Sequence, residues 1–88
     1  MTGLFNRVRN RLTGSRFLIS TIKKDDRTFE TAVFRANFFY LPQGLNLRHP
    51  CLVFQCHDPA EADRFHYTIT KRLQEEYPAR IFQEFAAE

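Results

Sequence analysis

The chain is 88 residues long, with 43% hydrophobic and 26% charged residues and a formal net charge of +3. That length allows one domain with a small core, because a chain of this size buries only roughly 60–65% of the surface its unfolded form exposes. The composition excludes a disordered or low-complexity class and fits an ordinary globular one.

The charge is unevenly placed. Arg7, Arg9, Arg11 and Arg16 fall in the first sixteen residues with no acid among them, whereas positions 17–88 hold nine bases against ten acids. The positive excess therefore lies in a basic arm, residues 1–15, that precedes a single domain over 16–88. Arginine outnumbers lysine ten to three, and its planar, weakly hydrated guanidinium suits interfaces and phosphate contacts; a biased base composition would give the same excess. In chain order, Leu4, Phe5, Val8 and Leu12 stand at helical spacing, which predicts a short amphipathic helix over residues 4–12, capped by Thr2 and ended by Gly14. A helix of about nine residues does not hold itself in water, so it must dock.

Residues 17–23 read as a strand and 28–36 as its return, joined by the polar turn Lys24-Asp25-Asp26-Arg27. Residues 38–41 follow as a short strand or a kinked continuation. Pro42-Gln43-Gly44 is a turn, and 45–49 is extended or irregular, with Pro50 holding His49 out of helical geometry. Residues 51–57 make a third main strand. Asp58, Pro59 and Glu61 give three independent helix-start signals, and the helix is expected to run to about Tyr77 with Ala62, Phe65, Ile69 and Leu73 on one stripe, stopped by Pro78. Residues 80–85 alternate Ile81, Gln83 and Phe85 and read as a final strand. The expected fold class is α+β: a small antiparallel sheet, built from a β-hairpin and further strands, with one long helix on one face and the N-terminal helix beside it.

Both faces of this sheet are apolar. Phe17, Ile19 and Thr21 oppose Leu18, Ser20 and Ile22; Phe29, Thr31 and Val33 oppose Ala32, Phe34 and Ala36. One helix covers one face. The other needs the arm or a second protein chain, and nine residues of arm cover too little. The reading therefore leans to a dimer or a heteromeric partner.

Site chemistry is thin. His49, Cys51, Cys56, His57 and His66 resemble a ligand set, but Cys51 and Cys56 point to opposite sheet faces and Cys51 and His57 lie about 20 Å apart along a strand, while zinc needs ligands at ~2.0–2.3 Å. No metal and no cofactor is expected. His66 can approach Cys56, yet no third orienting group or oxyanion loop accompanies them. Gly3, Gly14 and Gly44 form no phosphate-binding loop. The expectation is a protein that is not an enzyme.

What remains is a small protein–protein interaction module of regulatory, assembly or inhibitor type. It would dock through an apolar sheet face and the Arg-rich arm, with Arg7, Arg9, Arg11, Arg16, Arg35, Phe38 and Tyr40 as candidate contact residues. The partner is another protein or a second copy of the chain. The alternative is a nucleic-acid-binding protein that uses the arm on phosphates and the strand aromatics on bases. No small molecule is implied, and the arm is too short for a lasting membrane anchor. Two cysteines without a secretory signal point to the cytoplasm. The mitochondrial matrix is the alternative compartment, because the arm is Arg-rich and acid-free like a transit peptide.

Overall fold

A computed structural model of the chain describes residues 3–37 and 50–86. Four strands and two helices follow in the order β1 (Gly3–Arg9), β2 (Arg16–Asp25), β3 (Thr28–Ala36), β4 (Leu52–Cys56), α1 (Pro59–Glu75) and α2 (Pro78–Ala86). The strands form one antiparallel sheet in chain order, β1-β2-β3-β4. The class is α+β. The expected elements over 38–49, including Phe38 and Tyr40, lie outside the described residues.

Two expected elements are corrected. The N-terminal helix is instead strand β1, paired with β2 from Gly3↔Ile22 to Arg9↔Arg16. Leu4, Phe5 and Val8 satisfy a helical stripe, but Leu4, Asn6 and Val8 also alternate with Phe5, Arg7 and Arg9. Exposure follows the alternation: the first set is half-buried or buried, the second exposed. A nine-residue helix gains little by itself, whereas the strand shares a full ladder with β2. The expected final strand over 80–85 is instead helix α2. Pro78 does not merely end what precedes it; it opens α2, where its missing N–H costs nothing. Ile81, Phe82 and Phe85 then fall on one helical face and pack against the core. Two helices, rather than one, cover the sheet.

Both helices sit on the same face. Val8, Phe17, Ile19, Val33 and Leu52 from the sheet meet Ile69 and Leu73 of α1 and Ile81 of α2 in one buried cluster. Phe82 meets the Phe17 ring edge-on at 5.8 Å between centroids. At the other end Phe54 stacks on Phe65 at 4.0 Å, and Phe85 abuts Phe65 edge-on at 5.6 Å. Arg72 of α1 holds α2 in place, reaching Glu76 at 3.0 Å and also Glu84. The start of α1 is capped as the sequence implies: the Asp58 carboxylate accepts the Ala60 N–H at 3.0 Å, with Pro59 next.

The link between β1 and β2 is fixed by one buried side chain. Asn10, 1% exposed, donates its amide to the carbonyls of Leu73 (2.6 Å) and Glu76 at the end of α1. Its Oδ1 accepts the N–H groups of Leu12 and Thr13, each at 2.9 Å. The Arg11 N–H adds a bond to the Gln74 carbonyl at 2.8 Å. The last carbonyls of a helix have no partner within it; here the turn supplies them. Gly14 closes the turn at φ +78°, a left-handed conformation that other residues enter at a cost.

Candidate functional site

Strand alternation puts a second set of side chains on the face turned away from the helices. Cross-strand register groups them in rows: Phe5, Ser20, Ala32 and Val53; Arg7, Leu18 and Phe34; Ile22, Glu30 and Gln55; Arg9, Arg16 and Ala36. Leu18, Ala32 and Ala36, in the middle strands, are buried. Around them Phe5 is 57% exposed, and Ile22 and Val53 are each 48% exposed. A strongly apolar face on the sheet is thus only partly shielded among the described residues, and its large exposed side chains ring the centre.

The arginines are concentrated at one end of this face. Arg7 and Arg9 are exposed on β1, two residues apart, a step of about 7 Å along a strand. Arg16 lies directly across from Arg9, and like charges so placed repel. Arg11 follows in the turn, where Arg9, Asn10, Arg11 and Gly14 line a shallow basin of about 300 Å³. Arg7, Arg9 and Arg11 enter no ion pair among the described residues. Arg35 does not join them. It is register-paired with Phe17 and sets its guanidinium 5.9 Å from that ring, on the helix-covered side.

Charge is segregated between the two layers. Residues 3–37 carry eight bases and three acids, while residues 58–86 carry four bases and six acids. The molecule presents a basic sheet and a mildly acidic helical layer. At the far hairpin the bases are balanced: Asp25 accepts the Arg27 N–H at 2.9 Å, a bond that lowers its carboxyl pKa, and Lys24 approaches Glu30 at 3.5 Å.

The titratable groups with chemical potential lie elsewhere. His66 is fully buried between α1 and the sheet. Its Nε2 meets Asn6 Oδ1 at 2.6 Å and its Nδ1 meets Thr21 Oγ1 at 2.7 Å, and Thr21 bonds Thr31 in turn. Burial lowers its pKa, with Asp63 opposing, so the neutral ring donates to Asn6 and accepts from Thr21. This chain of polar groups is buried at His66, Thr21 and Thr31 and ends at the half-buried Asn6. Cys56 is buried at the other end of the sheet, and desolvation raises its thiol pKa; Cys51 is exposed. Among the described residues no three His, Cys, Asp or Glu side chains gather as a metal site would require. No described helix is long and apolar enough to cross a membrane.

The candidate set is thereby divided. The fold brings Arg7, Arg9 and Arg16 together with Phe5, Ile22 and Val53, which sequence reasoning did not single out as contact residues. Arg11 borders the group, Arg35 is excluded from it, and Phe38 and Tyr40 are outside the described residues. The signal for Phe5 was its two-residue spacing from Arg7 and Arg9, visible only once residues 3–9 are read as a strand. No family model, curated protein or solved structure matches the chain.

Proposed function

We propose that the protein is a small interaction module, of regulatory, assembly or inhibitor type, that docks on another protein through the open sheet face. The observation that carries this reading is the coincidence on one face of the exposed apolar residues Phe5, Ile22 and Val53 with the acid-free arginine strand. The partner surface should be apolar at its centre and acidic at one edge. A heteromeric partner with an acidic edge complements the acid-free strand that carries Arg7 and Arg9. The free thiols of Cys51 and Cys56 suit the cytoplasm.

The nucleic-acid reading draws on the same arginines and on Phe5. It is weaker because the other two exposed side chains, Ile22 and Val53, are aliphatic and offer no ring for base stacking.

A photo-crosslinking residue placed at Val53, and in a control at Tyr67 on the exposed side of α1, separates these readings. Protein adducts from position 53 that survive nuclease, and that position 67 does not give, are expected. Nuclease-sensitive adducts, or none from position 53, would overturn the proposal.

A further inference from the structure

Phe5, Ile22 and Val53 are about half exposed and stand on three different strands, so covering them removes only part of their apolar surface from water. Further attraction has to come from the arginines or from the backbone, and strand β1 offers both.

β1 is an edge: among the described residues it pairs only with β2. Which of its amides face outward follows from the ladder. The Asn10 N–H bonds the Ser15 carbonyl at 2.7 Å, which makes Asn10 and Ser15 a hydrogen-bonded pair in the register that puts Arg9 opposite Arg16. Hydrogen-bonded and non-bonded pairs alternate along an antiparallel ladder. Val8, Asn6 and Leu4 therefore bond to β2, and the N–H and C=O groups of Arg9, Arg7 and Phe5 point away from the sheet. These are the residues whose side chains stand on the open face. One stretch of β1 thus presents outward backbone groups, two guanidinium groups that enter no ion pair among the described residues and an exposed ring, all in register.

We infer that the edge of β1 receives an extended acidic segment of a partner protein as an added antiparallel strand. This inference rests on the docking reading above and specifies its partner. Added strands gain affinity from main-chain hydrogen bonds and specificity from alternate side chains. In antiparallel pairing, successive alternate residues of the partner stand opposite Arg9, Arg7 and Phe5. The recognised pattern is acid-x-acid-x-aromatic, with the intervening side chains turned toward the Leu4, Asn6 and Val8 side. Opposite charges directly across a pair attract and like charges repel, so a second copy of β1, which brings arginines to the same seam, is disfavoured. Charge on an edge strand also prevents indiscriminate pairing. Here it selects: the arginines reject neutral and basic strands and admit an acidic one.

The test uses the full-length chain and a fluorescent peptide, Thr-Glu-Thr-Glu-Thr-Phe-Thr, with blocked ends, read by anisotropy. N-methylation of the two Glu and the Phe amides removes the groups that would bond β1, whereas N-methylation of the intervening Thr amides leaves them. Binding at least tenfold weaker for the first methylated peptide than for the second is expected, as is at least tenfold weaker binding of a Lys-for-Glu peptide. The double variant R7E/R9E, whose exposed positions leave folding intact by circular dichroism, should reverse the preference toward the Lys peptide. Equal binding of the two methylated peptides would overturn strand addition while leaving docking on the face intact. No peptide binding, beside nuclease-resistant protein adducts at position 53, would do the same. Arg7- and Arg9-dependent binding of a single-stranded oligonucleotide, with no peptide binding and nuclease-sensitive adducts at position 53, would overturn both readings. Self-association in sedimentation that R7E/R9E abolishes would replace the acidic partner with a second copy.

Discussion

Replacing Asn10 by Ala should be among the most damaging changes that touch no apolar side chain. Asn10 donates to the carbonyls of Leu73 and Glu76 and accepts from Leu12 N–H, Thr13 N–H and Thr13 Oγ1. The turn amides can turn to water when the side chain is lost. The Leu73 carbonyl cannot, since its bond is buried, and an abandoned buried acceptor costs about 1–3 kcal/mol. Adding the net worth of the lost bonds, at about 1 kcal/mol for a buried one, brings the loss to about 3 kcal/mol. A domain of this size is stable by only roughly 4–13 kcal/mol in all. At about 4–8 °C per kcal/mol, the melting temperature should fall by roughly 12–24 °C. Thermal and urea unfolding followed by circular dichroism read this directly. Thr13→Ala, which removes only partly exposed bonds, is the matched control and should cost well under about 1 kcal/mol. A loss below about 0.5 kcal/mol for N10A would refute the claim that this turn closes the end of α1.

His66 gives the protein an acid-sensitive step. Its folded pKa lies below the ordinary 6.5 because burial opposes its charge, so the unfolded chain takes up the proton first. Stability is then full above about pH 6.5 and falls as the pH drops below it, by up to about 1.4 kcal/mol per unit; H66Q should flatten this part of the profile between pH 7 and 5.5, and an unchanged slope would count against the assignment. Cys51 should react with iodoacetamide at neutral pH well before Cys56, whose thiol is buried with a raised pKa; peptide mapping of the alkylated chain decides the order. Gly14→Ala should cost about 1 kcal/mol, because an added Cβ meets the Arg9 guanidinium at an ordinary contact distance of 3.9 Å and only the φ of +78° opposes it; a stability equal to that of the native chain would contradict the left-handed turn.

Much of the architecture was legible because its signals are local. The hairpin of β2 and β3 announces itself by β-branched and aromatic runs around Asp25 and Asp26, and Asp58-Pro59 marks the start of α1 independently of anything distant. The errors arose where a short apolar pattern satisfies two periods. Residues 3–9 fit a helix through Leu4, Phe5 and Val8 and a strand through Leu4, Asn6 and Val8, and only the partner strand β2 decides between them. Residues 80–85 alternate through Ile81, Gln83 and Phe85, yet Ile81, Phe82 and Phe85 fill the end of the core only as a helix. His66 carried a signal that went unread: it stands four residues after Ala62 and three before Ile69, on the buried stripe of α1. Asn10 carried none, since its partners Leu73 and Glu76 lie more than sixty residues away. The arginine cluster was visible as composition, but its placement on a sheet face beside Val53, a residue of β4, depends on long-range register.

Residue-resolved amide hydrogen exchange across β1 tests this placement most directly. If residues 3–9 form an edge strand in the register described, the amides of Leu4, Asn6 and Val8 should be protected and those of Phe5, Arg7 and Arg9 should exchange quickly. Continuous protection from Asn6 through Arg11, together with helical carbon shifts, would contradict the account, because the arginines would then no longer share a face with Ile22 and Val53.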